Sequence, residues 1–223
     1  MSILSIKDLT YTYQDGAELR YILRDVSYDF EPGRFYAVLG NSGSGKTTLL
    51  SLMGALDEPR SGEIFFQGAS VKPADYENYR RNHVSIVFQS YNLIPWLTSV
   101  ENVLVAMDTT DNKLPPDQPT VAANLLEYLG IDRAKSARRV PALSGGEQQR
   151  VAIARALATN VDLILADEPT GNLDETSSEE IVQVFKTLAH EHGKCVIVVT
   201  HAAEIAREAD EVLVLSKGAL SAA

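Results

Sequence analysis

The run LGNSGSGKTT, residues 39–48, constrains this chain more than any other stretch. It follows the apolar segment FYAVLG and precedes LLSLMGALD, so a glycine-rich loop stands between a strand pattern and a helix pattern. Gly40, Asn41, Ser42, Gly43, Ser44, Gly45, Lys46 and Thr47 fit the spacing G-x-x-x-x-G-K-[ST]. Glycines let the backbone curl until successive N–H groups point inward, at the positive end of the following helix. An anion nest of that size suits a triphosphate. Lys46 is then placed to reach the β- and γ-phosphates and the Thr47 hydroxyl to take a position on Mg2+, with Thr48 beside it.

Two further stretches point to the same chemistry. In VDLILADEPTGNLD, Asp167 ends an apolar strand, where its carboxylate reaches Mg2+ through water beside the phosphate loop. Glu168 follows it and is the best placed group to orient and deprotonate a water in line with the γ-phosphate. In LSGGEQQRVAIARALA, Ser144 and Glu147 form a capping box at the start of a helix carrying Val151, Ala154 and Leu157. With Gly145 and Gly146 leaving room for approach, that helix start is a second anion site on the same chain.

The surrounding sequence sets the fold class. SIKDLTYTY, YILRDVSYDF and GEIFFQG alternate apolar and polar residues and read as an antiparallel sheet, with turns at QDGAE and EPG. VDLILAD and KCVIVVT are compact apolar runs of the kind buried on both faces of a parallel sheet. Between those two runs, residues 175–192 place Ile181, Val184, Phe185 and Leu188 at helical spacing, with Gly193 as the stop. Residues 92–141 carry helical patterns such as TVAANLLEYLG and no core-strand run, and read as a helical insertion. The expectation is an α/β chain: a phosphate-loop NTPase core with an antiparallel β-subdomain and a helical subdomain at about 90–142.

Composition excludes other classes. Of 223 residues, 30 are acidic and 20 basic, a formal net charge of -10, which is the wrong sign for wrapping nucleic acid or lying on anionic lipid. The lone Cys195 lies inside an apolar run and reads as a small core residue, so no disulfide framework is expected. No run approaches the roughly 20 apolar residues that span a bilayer, and the expectation is a soluble chain held at a membrane only by a partner.

The phosphate loop, LILADEP and LSGGEQQR together closely resemble the nucleotide-binding subunit of ABC transporters, over nearly the whole chain. The resemblance implies one domain over residues 1–223 with a RecA-like core, ATP and Mg2+ as ligands, and ATP hydrolysis coupled to transport. It implies that two copies pack head to tail in an ATP-dependent dimer, with the loop of Ser144, Gly145 and Gly146 of one copy closing over the nucleotide on the Lys46 loop of the other. By matching position, Gln89 resembles the glutamine that contacts Mg2+ and couples to the membrane subunit, and His201 the switch histidine on the γ-phosphate. Asp174 resembles the aspartate that communicates across the dimer. Tyr13 matches the aromatic that stacks on adenine, with Tyr11 as its alternative. PTGNLD and SYNLIPWLTSVENV are similar to the branch of macrolide-exporter, lipoprotein-releasing and cell-division ATPases and to the ATPases of Gram-positive antimicrobial-peptide resistance systems, although Ala202 departs from the acidic residue common there after the switch histidine.

That branch works through a separate integral membrane permease, for efflux or for transmission of mechanical force, so the resemblance implies a chain on the cytoplasmic face of the membrane, peripheral through that partner. The segment 91–103, with Leu93, Ile94, Pro95, Trp96 and Leu97, is too apolar for an ordinary loop. Trp96 either belongs to the docking surface for the permease or packs inside the helical insertion. A rival reading, an ABC ATPase acting in translation or DNA maintenance, lacks support: no sustained heptads separate Gln89 from Ser144, and no basic linker or second cassette is present.

Overall fold

The computed structural model describes residues 1–15 and 18–223. The turn expected at QDGAE falls partly on residues 16–17, outside the described residues. Among the described residues, ten strands and eight α-helices follow in this order: β1 (Leu4–Asp15), β2 (Glu18–Phe30), β3 (Phe35–Leu39), α1 (Lys46–Met53), β4 (Ser61–Phe66), β5 (Ala69–Ser70), α2 (Tyr76–Asn82), β6 (Val84–Val87), α3 (Ser99–Thr109), α4 (Gln118–Tyr128), α5 (Arg133–Ser136), α6 (Gly145–Ala158), β7 (Leu163–Asp167), α7 (Glu175–His190), β8 (Cys195–Thr200), α8 (Ala203–Glu208), β9 (Glu211–Ser216) and β10 (Ala219–Ala222).

These strands form two sheets. One is four-stranded in the order β2-β1-β4-β5, antiparallel throughout. The other is six-stranded in the order β10-β9-β3-β8-β7-β6, parallel from β9 to β6 with β10 turned back along one edge. The expected antiparallel β-subdomain and α/β core are both present. Sequence patterning did not reveal α2, β6 or the closing hairpin of β9 and β10.

The parallel sheet is buried on both faces, and alternate residues along each strand supply two separate cores. Phe35, Ala37, Ile164, Ala166, Val196 and Val198 pack with residues of α3, α4, α6 and α7. Tyr36, Val38, Leu163, Leu165, Ile197 and Val199 pack with α1 and with Leu4, Ile6, Leu23 and Phe30 of the antiparallel sheet. This period-two division is why VDLILAD and KCVIVVT read as unbroken apolar runs. Cys195 is fully buried in the second core, and burial raises its thiol well above the ordinary range, as expected of an inert core residue.

The helical insertion is built on local caps. Thr98 and Glu101 form a capping box at α3, and Asp117 and Asp132 cap α4 and α5. Asn102, 1% exposed, fixes the loop before α3: its Oδ1 accepts from the Ile94 N–H at 2.7 Å and its Nδ2 donates to the Ile94 carbonyl at 3.1 Å. Trp96 projects from that loop with 70% of its surface exposed, so the alternative in which it packs inside the insertion is not adopted. Backbone fixed from below leaves the indole facing solvent.

Topology gathers the functional loops. Strands β3, β8, β7 and β6 are consecutive neighbours and parallel, so their carboxyl ends lie along one edge. The phosphate loop leaves β3, His201 follows β8, Asp167 ends β7 and Gln89 lies two residues beyond β6. Sequence-distant residues meet there because open α/β sheets place crevices at the carboxyl ends of their strands.

Candidate functional site

A cavity of about 880 Å3 lies at that edge, lined among others by Tyr13, Asn41, Ser42, Gly43, Gly45, Lys46, Thr47, Thr48, Gln89, Glu168 and His201. Gly43 and Gly45 have φ of 76° and 102°, a region closed to most side chains, and Gly45 immediately precedes α1. A Cβ on Gly45 would also stand 2.9 Å from Ile22. The loop therefore curls as its glycines require, with the N-terminus of α1 opening into the cavity. Gly40 and Ser44 lie on its outer rim, in an adjoining cleft with Arg24 and Lys217.

Lys46 is buried, and its ammonium donates to the Gly40 carbonyl at 2.7 Å and lies 3.6 Å from a Glu168 carboxylate oxygen. Desolvation strengthens that ion pair relative to a surface one. Glu168 itself has a left-handed backbone, φ 43°, unusual for a non-glycine residue and often found at functional sites. Its carboxylate accepts from Thr200 Oγ1 at 2.8 Å and from the His201 N–H at 3.2 Å, and meets His201 Nδ1 at 2.9 Å. Burial pushes the carboxyl up, but the bonds from His201 and Thr200 outweigh it and hold Glu168 below the ordinary carboxylate range.

Asp167 behaves oppositely. Buried at the end of β7, it is raised above the ordinary range by desolvation, against a hydrogen bond from Thr47 and the attraction of Lys46. Two adjacent carboxyls thus have environments that push them apart, the usual sign of divided roles. Among the described residues, no three His, Cys, Asp or Glu side chains gather into a metal cage. Thr47, Asp167 and Gln89 instead offer a hydroxyl, a carboxylate and an amide, hard oxygen donors that fit Mg2+ held by few protein ligands together with phosphate oxygens.

Tyr13 is half exposed at the cavity mouth, whereas the Tyr11 hydroxyl is engaged by Asp57 and the two rings meet edge to face at 5.1 Å. Of the two aromatics, Tyr13 faces the cavity. Ser144, Gly145, Gly146 and Asp174 do not join Lys46: they line a separate cleft with Lys135, Arg150, Ser177 and Glu180. There the Ser144 and Glu147 capping box is complete, and Asp174 caps α7 by accepting from the Ser177 N–H at 2.9 Å.

Sequence reasoning missed Thr200, Arg20 and Gln14. Arg20 and Gln14 reach the cavity because β1 and β2 pair in a register that sets Tyr13 opposite Arg20. That register passes three irregularities along β1, so alternation alone could not have found it. Thr200 had one signal, its place at the end of a strand directly before His201.

Phosphate anhydrides are what such a cleft is equipped to hold, which makes the molecule by class a phosphate-loop nucleoside triphosphatase. The family model described as ABC transporter matches residues 23–171. YclH of Bacillus subtilis, an uncharacterized ABC transporter ATP-binding protein, is 44% identical, covering 99% of this chain and 96% of its own. LolD of Idiomarina loihiensis, the ATP-binding protein of a lipoprotein-releasing system, is 40% identical over 98% of this chain and 96% of its own. The cassette MJ0796 of Methanocaldococcus jannaschii, solved as a dimer, superposes with a TM-score of 0.91 at 37% identity, covering 98% of this chain and 96% of that one. A second structure of that cassette is a post-hydrolysis state bound to ADP and Pi. The chain belongs to the ABC transporter family. Within it, this is an ATP-hydrolysing subunit, and the similarity to LolD agrees with the branch that PTGNLD indicated.

Proposed function

We propose that two copies of this chain hydrolyse ATP head to tail and drive a separate membrane permease. One observation carries the reading: the chain holds two helix starts able to receive phosphate, and they open into different clefts. A second copy brings the Ser144 loop to the nucleotide on the Lys46 loop, as a symmetric pair with two equal sites. Tyr13 stacks on adenine, and Lys46 turns from the Gly40 carbonyl to the β- and γ-phosphates. Asp174 faces the partner copy.

Thr47, Asp167 and Gln89 would hold Mg2+, which when bound neutralises charge on the β- and γ-phosphates. Glu168 accepts a proton from the attacking water, while His201, tied to it, faces the γ-phosphate. The exposed Trp96, with Leu93 and Leu97, forms part of the permease docking surface on the cytoplasmic face of the membrane. In agreement with this, no helix among the described residues is long and apolar enough to cross a membrane. A nucleic-acid partner is disfavoured by the net charge of -10.

Phosphate release from Mg2+-ATP by the purified chain is expected to rise more steeply than linearly with protein concentration. Strict proportionality down to the lowest measurable concentration would point to catalysis by single copies. The base assignment has its own test in Thr200→Val, which removes a donor that holds the Glu168 carboxyl down. A base works ionised, so raising its pKa moves the acid limb of kcat to higher pH. An acid limb that stays in place would assign it to another group.

A further inference from the structure

Tyr91 and Asn92 are consecutive non-glycine residues with left-handed backbones, φ 62° and 48°. Asparagine tolerates that region with help from its own side chain, here with Oδ1 accepting from Ser90 Oγ at 2.8 Å. Tyrosine is kept there by its surroundings. Arg155, in the last turn of α6, donates from one guanidinium nitrogen to the Asn92 carbonyl at 2.5 Å and from another to the Tyr91 carbonyl at 3.0 Å. Burial lowers the Arg155 pKa, and among the described residues no carboxylate forms an ion pair with it. Its charge faces two successive carbonyls, each met by its own nitrogen of the planar guanidinium fork, whereas a lysine has to reach both from one nitrogen.

The same turn reaches the other end of α6. A Cβ on Gly145, the first residue of that helix, would meet the Tyr91 hydroxyl at 3.1 Å. On the upstream side, Asn172 Nδ2 donates to the Gln89 carbonyl at 3.4 Å. Downstream, Asn102 grips Ile94 from α3. The backbone from Gln89 to Ile94 is therefore attached to α3, to α6 and to the loop before α7, with Trp96 just beyond it.

We propose that Arg155 is a positioning residue for ATP-driven closure: by locking Tyr91 and Asn92 it makes the Gln89 loop, the segment 93–97 and the Ser144 end of α6 move as one body. The inference rests on the reading that the Ser144 loop closes over the partner's nucleotide. Nucleotide reaching Gln89 on one side, or a permease pressing on Trp96 on the other, then shifts the helix that presents Ser144. Rigid coupling needs discrete contacts that hold one arrangement, and a strained turn fastened by two hydrogen bonds supplies them.

The test compares Arg155→Met and Arg155→Lys in the full chain. Arg155→Met is expected to leave the KM for Mg2+-ATP within about twofold while kcat falls about tenfold, with Arg155→Lys between it and wild type. In a Glu168→Gln background, both variants are expected to need more ATP than the parent to sediment as dimers. KM, kcat and Tm worsening together in both variants would overturn the proposal in favour of a purely structural arginine, as would an unchanged kcat. Should Arg155→Met fail to fold, Arg155→Lys, which keeps the charge on a single donor nitrogen, decides the same comparison. A Glu168→Gln parent that stays monomeric at saturating ATP overturns the closure reading itself, and the split between kcat and KM then decides the role of Arg155 alone.

Discussion

Glu168→Gln is expected to lower ATP turnover by about two to four orders of magnitude, the range over which a positioned base contributes, while leaving ATP binding intact. The substitution keeps the volume of the side chain and an oxygen able to accept from Thr200 and the His201 N–H, so the turn after β7 keeps its partners. It removes the carboxylate 3.6 Å from the Lys46 ammonium. Freed of that partner, Lys46 has only the loop carbonyls to leave when it turns to phosphate, and one negative charge fewer opposes the γ-phosphate. Binding therefore tightens as chemistry stops. The measurable consequence is a dimer that accumulates with ATP and is absent without it, seen by sedimentation. Turnover within tenfold of wild type would remove Glu168 from the base role. A monomer at saturating ATP would instead remove the head-to-tail mechanism.

Legibility in the sequence followed the distance over which each contact acts. The phosphate loop was readable because its geometry is dictated by eight consecutive residues, and the capping box because its two members are three residues apart. Strands β7 and β8 were readable because burial on both faces leaves an apolar run with no alternation. By contrast, β6 is four residues long and α2 seven, too short for either period to establish itself. The bonds from Arg155 to Tyr91 and Asn92 join positions 64 and 63 apart, and that from Thr200 to Glu168 spans 32. No local pattern encodes them, because they exist only once β6, β7 and β8 stand side by side. For Trp96 the sequence showed only that an apolar cluster existed. Which way it faced depended on Asn102, a polar residue whose burial no periodicity announces.

Separate placement of the two helix starts leads to the second large effect. If two copies pair head to tail as proposed, Lys46→Ala removes the ammonium from both sites of the homodimer, and Gly146→Asp places a carboxylate at both helix starts that would face the partner's γ-phosphate. Each variant alone is expected to lose all but about 1% of turnover, since electrostatic contacts to transferred phosphoryl groups are worth two or more orders of magnitude. Gly146→Asp is compatible with the fold: a Cβ there stands 3.6 Å from Leu173 and Ser177, ordinary contact, and an acidic residue in the first turn of α6 suits the helix dipole. Mixing the two inactive proteins produces mixed dimers in which the Lys46 loop of one copy meets the intact Ser144 loop of the other. Random pairing makes about half the dimers mixed, each with one whole site of two, so equal mixing restores about a quarter of wild-type turnover. Recovery of that order from two inactive proteins requires a site shared between copies. A mixture no more active than its components would mean either that each chain completes its own site or that both sites must fire together. The Glu168→Gln dimer separates these cases, because self-sufficient chains have no reason to pair when ATP binds.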